Sequence, residues 1–82
     1  MNSKTAYIIL QYLRVSKNGY KTNQVILRGK LICDSEVVAL VEKPFYQGMQ
    51  AQIRDALYAA AKKDKLTVTA EHWWPEIVID NL

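Results

Sequence analysis

Lys17-Asn18-Gly19-Tyr20 lies between two runs of similar make-up, residues 5–16 (TAYIILQYLRVS) and 22–33 (TNQVILRGKLIC). Both runs are rich in β-branched and aromatic residues, which suit a pleated, half-buried surface. Asn-Gly between such runs is the strongest short hairpin signal, because a type I′ turn needs φ > 0 at both central residues. With Asn18 and Gly19 as the loop, paired positions sum to 37. Tyr12 then faces Val25, Leu10 faces Leu27 and Ile8 faces Gly29.

Paired residues share a side of the sheet, so this register sorts the hairpin into two faces. One holds Ala6, Ile8, Leu10, Tyr12, Val25, Leu27 and Leu31 and reads as the core. Gly29 sits among them, where a missing side chain gives a helix room to approach. The other face carries Tyr7, Ile9, Gln11, Leu13 and Val15 against Lys30, Arg28, Ile26, Gln24 and Thr22. It is too apolar for a plain solvent face and too polar for a core.

Downstream, residues 35–43 (SEVVALVEK) admit two readings. Asp34 or Ser35 could cap a short helix ending before Pro44. The favoured reading is a third antiparallel strand after a tight turn at Asp34-Ser35, since a meander covers one open edge of the hairpin. Pro44 is expected to open a helix, where its missing N–H costs nothing. Phe45, Met49, Ile53, Ala56, Leu57 and Ala60 recur at spacings of three and four and form its apolar stripe. Tyr46, Gln50, Arg54 and Tyr58 line a different side, and Lys62 and Lys63 suit the negative end of the helix dipole. Residues 66–71 (LTVTAE) alternate as a strand. Trp74-Pro75 is expected to interrupt it, leaving residues 76–79 as a second short strand or an arm along the sheet.

The fold expected is α+β. It is one small two-layer domain over residues 1–82, an antiparallel sheet of three to five strands with one long helix on one face, in the order ββ(β)αβ. Of the 82 residues, 50% are apolar and 23% charged, a globular balance that argues against disorder. No apolar run approaches the ~18 residues needed to span a bilayer, so no membrane partner is expected. The N-terminus lacks the pattern of a signal peptide, and one cysteine makes no internal disulfide, so a cytoplasmic setting is expected.

Charge is divided unevenly along the chain. Residues 1–33 hold Lys4, Arg14, Lys17, Lys21, Arg28 and Lys30 and no acid, whereas residues 34–82 hold five bases and eight acids. Such asymmetry marks either a basic binding surface or ordinary solubilising residues, and the bases are spaced rather than clustered.

Catalytic and metal motifs find little support. The three glycines are isolated, so no phosphate-cradling loop exists. Glu71 and His72 are neighbours on a strand and point to opposite faces, which separates them as acid and base. Cys33 reads as a small buried hydrophobe rather than a nucleophile. Glu71, Glu76 and Asp80 read as solvated charge rather than a cage for a hard cation. No cofactor, metal or small-molecule substrate is expected, and the chain is read as non-enzymatic. A small hydrolase would need a paired acid and base that the sequence does not offer.

Trp73 and Trp74 are the most unusual local feature. Adjacent indoles on an extended chain point to opposite sides, so one is expected under the helix and the other at the surface.

The first functional expectation is a protein-binding module acting through the open sheet face. Its candidate residues are Tyr7, Ile9, Gln11, Leu13, Arg28 and Lys30, with Trp73 and Trp74. The partner would be another protein or a second copy of the chain as a homodimer. By analogy of size alone, it fits an inhibitor, adaptor or regulator of the kind that phages and plasmids direct at host defence or other host proteins. The alternative is nucleic-acid binding through the basic hairpin, using Lys17, Lys21, Arg28 and Lys30, although few aromatics accompany them for base stacking.

Overall fold

Asn18 and Gly19 have φ values of 54° and 80°, the two positive angles a type I′ turn requires, and Lys17 pairs with Tyr20 across them. The turn joins β1 (Lys4–Lys17) to β2 (Tyr20–Cys33). A second tight turn at Asp34-Ser35, with φ of 54° and 65°, leads into β3 (Glu36–Pro44). Helix α1 (Met49–Lys63) and strand β4 (Leu66–Asp80) complete the chain. This computed structural model describes residues 4–80.

The strand order is β3-β2-β1-β4, with one helix packed on the sheet, so the two-layer α+β arrangement holds and residues 36–44 form a strand. The sheet is mixed rather than wholly antiparallel. The first three strands form an antiparallel meander, and β4 joins the far edge parallel to β1. A parallel neighbour needs a crossover, and α1 supplies it by carrying the chain from one edge to the other.

The register differs from the simple hairpin count by two. Ser16 pairs with Lys21 as expected, but Arg14 pairs with Val25, Leu10 with Gly29 and Ile8 with Leu31. Residues 22–24 form an irregularity beside Val15, where the Thr22 hydroxyl donates to the Val15 carbonyl at 2.7 Å and accepts from the Gln24 amide at 3.1 Å. Because the shift is even, every side chain keeps its face. Ala6, Ile8, Leu10, Leu27, Leu31 and Cys33 pack against Met49, Ile53, Leu57 and Ala61 of α1.

Three local expectations are corrected. Pro44 closes β3 instead of opening the helix: it pairs with Ile26, and the Phe45 amide donates to the Val25 carbonyl at 2.8 Å. The helix starts only after Gly48, whose φ of 87° breaks any helical run from Pro44. Phe45 therefore lies outside the helix and packs edge-on against Tyr12, and Ala56 is exposed. Lastly, β4 runs through Pro75 unbroken. An edge strand tolerates proline, and the strain is absorbed by a register shift between Gln11 and Leu13, where Gln11 Nε2 donates to the Pro75 carbonyl at 2.9 Å.

A 15-residue helix is roughly 22 Å long, whereas a 14-residue strand spans roughly 46 Å. The helix thus covers one end of the sheet, and the Asn-Gly turn projects beyond it. No helix among the described residues is long and apolar enough to cross a membrane.

Candidate partner-binding face

The face turned away from α1 is built from alternate residues of all four strands. Ile9 lies at its middle, paired with Lys30 on one side and His72 on the other. Gln11 comes next, between Arg28 and Trp74, and Leu13 lies between Ile26 and Ile77. Among the described residues no element covers this face, yet Ile9 is 3% exposed and Leu13 fully buried.

Neighbouring side chains do the covering. Lys30 Nζ stands 5.9 Å from the centroid of the Trp74 ring, so the two arch towards each other across the Ile9–Gln11 stretch of β1. A cation over an indole at an exposed site is worth about 0.5–1 kcal/mol, enough to favour this arrangement without locking it. Tyr7 and His72 meet edge to face at 5.7 Å just above. Nearer the turn, a groove of about 360 Å³ is lined by Val15, Ile26 and Ile79 together with Gln24, Arg28, Glu42 and Asp80.

The structure therefore sorts the candidate residues into layers. Tyr7 and Trp74 are partly exposed, and Arg28 and Lys30 are half-buried beside them. Ile9, Gln11 and Leu13 lie beneath this layer and support it rather than forming the outer surface. Trp73 lies on the helix side, stacked on Tyr12 at 5.3 Å, so the adjacent indoles do take opposite faces. Both remain about half exposed, so neither indole packs under the helix as expected: Trp73 lies beside Tyr12 at the edge of that side instead. Ile77 and Leu40 belong to the uncovered face and escaped the sequence reading. Two irregularities hide them, the shift at Pro75 in β4 and one between Leu31 and Ile32 opposite β3.

Folding cancels much of the charge asymmetry. Lys4 pairs with Asp34 at 3.2 Å, Arg14 with Glu76 at 3.3 Å and Arg28 with Glu42 at 2.6 Å, each base meeting an acid from residues 34–82. Surface pairs of this kind add at most about 1 kcal/mol each, so their consequence is electrostatic more than energetic. Among the described residues, Lys17, Lys21 and Lys30 have no carboxylate partner. Lys17 and Lys21 flank the turn on either side of Tyr20, which is 78% exposed.

The acids of β4 are engaged rather than simply solvated. Glu71 faces the helix and accepts from Arg54 Nε at 2.7 Å, Arg54 Nη2 at 2.9 Å and the Tyr58 hydroxyl at 2.6 Å. The Arg54 and Tyr58 hydrogen bonds hold its carboxyl below the ordinary value, and the bond to Glu71 raises the Tyr58 phenol. Asp80 accepts from the Ser16 hydroxyl at 3.0 Å. His72 lies on the opposite face from Glu71, and Cys33 is 7% exposed within the core. Groups of three or more potential metal ligands are absent among the described residues. Comparison with protein-family models, curated proteins and solved structures finds no match to this chain.

Proposed function

We propose that this chain is a non-enzymatic protein-binding module, a stoichiometric inhibitor, adaptor or regulator, that takes an apolar partner surface on the uncovered sheet face. The observation that carries the reading is the Lys30–Trp74 pair, set between Tyr7 and Ile77 over a buried floor of Ile9, Gln11 and Leu13. Aromatic anchors beside a cation are the side chains that dominate binding energy at interfaces, and a packed floor keeps them in place before the partner arrives. The partner chemistry follows from the charges. Lys30 has no carboxylate of its own among the described residues, so it calls for an acidic group within an otherwise apolar contact.

Affinity capture from the cells that express the protein, read by quantitative mass spectrometry, tests this. A partner retained by the wild type and released by Lys30→Glu supports the reading. Equal retention by both contradicts it.

A second reading rests on a different place, the turn, where exposed Tyr20 stands between Lys17 and Lys21. These three residues could meet a nucleic acid through phosphate contacts and one stacked base. Arg28 contributes less there than the sequence implied, because Glu42 neutralises it. Binding of this kind weakens steeply with salt, with a log–log slope near about −0.9 per phosphate contact on duplex DNA. Gel shifts at low salt with DNA and RNA that show no complex at tens of micromolar remove it, because nonspecific Kd values of roughly 1–100 μM at physiological salt tighten as salt is lowered.

A further inference from the structure

We propose that β3 pairs edge to edge with β3 of a second copy of this chain, joining two four-stranded sheets into one. The sheet has two outer strands, and they are protected differently. β4 carries Pro75 in its middle and two register shifts against β1, devices that discourage a further strand from pairing. β3 pairs regularly with β2 from Ala39 to Lys43, and its single proline waits at the end. Along it Val37, Val38 and Leu40 are 52%, 42% and 54% exposed. An apolar, uncovered edge with a regular stretch of this length is a template for another strand.

The sequence of this edge is complementary to itself. Antiparallel pairing of two identical strands takes a two-fold axis perpendicular to the sheet, which keeps each face on its own side. With the axis at Leu40, Leu40 meets Leu40 of the second copy, and Ala39 meets Val41. Val38 is the extra residue where β3 shifts against β2. Val37 and Val38 together therefore oppose Glu42, and the next position sets Glu36 against Lys43. Both point to the helix side, since Glu36 pairs with Cys33 and Lys43 with Leu27, two residues of the core face. The two-fold makes this ion pair twice, and neither residue has an ion-pair partner within the chain among the described residues. Moving the axis to Val41 sets Leu40 against Glu42 and carries Glu36 past Lys43. Charge and parity agree at one register.

The assembly is a continuous eight-stranded sheet with both helices on one side. This inference does not depend on the uncovered face binding a different protein, because the charged pair lies on the helix side. Sedimentation equilibrium on the full chain tests it through a charge swap. The wild type is expected to dimerise. Glu36→Lys alone and Lys43→Glu alone each replace two attractions by two repulsions and are expected to weaken association by about tenfold or more. The double swap is expected to restore it to within about threefold. Leu40→Ser, at an exposed position, is expected to give a folded monomer. All three positions are exposed, and far-ultraviolet circular dichroism confirms folding of each variant. A wild type that stays monomeric at about 1 mM, where even weak association is populated, overturns the inference. A dimer that the single reversals leave intact, or that the double swap fails to restore, overturns it equally.

Discussion

Gly29 lies directly beneath Ile53: a β-carbon on Gly29 would stand 2.6 Å from Ile53 Cγ2, closer than carbon atoms pack. Leu57 Cδ1 would be 2.7 Å away, and both of these helix side chains are fully buried. The helix therefore rests on bare backbone at this point of β2. Gly29→Ala is expected to destabilise the domain by about 2 kcal/mol through overpacking, even though alanine suits a strand better than glycine. Denaturant melts check this, and a double-mutant cycle with Ile53→Ala identifies the cause. On the Ile53→Ala background the glycine substitution should cost much less.

The uncovered face is expected to respond in two ways, according to depth. Ile9 is 3% exposed although it lies on the face away from α1, so Ile9→Asp buries an unpaired carboxylate and is expected to cost about 3 kcal/mol or more. Tyr7 is 37% exposed, and Tyr7→Ala is expected to change stability by less than about 1 kcal/mol. Thermal melts of the two variants decide the matter. If Ile9→Asp melts like the wild type, the layer of side chains over it is not closed.

Much of this arrangement is legible from Asn18-Gly19 outward, because a two-residue turn fixes which side chains share a face. Gly29 was legible too: a residue without a side chain on an apolar parity marks where a helix comes close. The pairing partners were not legible, since the Thr22 hydrogen bonds that shift the register by two are local chemistry with no periodic signal. The late helix start was missed because Pro44 suits the end of an edge strand as well as the first turn of a helix. The parallel course of β4 depends on where α1 carries the chain, which no local pattern encodes. Most of all, sequence parity separates faces without giving depth. Ile9 and Tyr7 share a face, yet one is floor and the other rim, because strands on both sides crowd the centre of β1.

The Glu71 cluster sets a pH dependence with a definite sign. Hydrogen bonds from Arg54 and Tyr58 lower the Glu71 carboxyl below its ordinary 4.5 in the folded chain. A carboxyl lowered on folding contributes stability above its unfolded value, and that contribution disappears as the pH falls through the folded value. Wild type and Glu71→Gln are therefore expected to differ most in stability above about pH 5 and to converge under stronger acid. The cluster is open to solvent, so the difference is small and its direction is the test. Urea melts between neutral and acid pH measure it. A gap that widens on acidification would contradict the assignment.

The most direct test of the uncovered face as the binding surface compares two adjacent tryptophans. Trp73 and Trp74 are similarly exposed, at 50% and 46%, but lie on opposite sides of β4. Capture of partner protein by wild type, Trp73→Ala and Trp74→Ala is measured side by side at equal amounts of folded bait. The account predicts that Trp74→Ala loses about tenfold or more of the bound partner, as expected for truncation of a central aromatic, while Trp73→Ala stays within about twofold of the wild type. Loss with Trp73→Ala and retention with Trp74→Ala would place the partner on the helix side and contradict it.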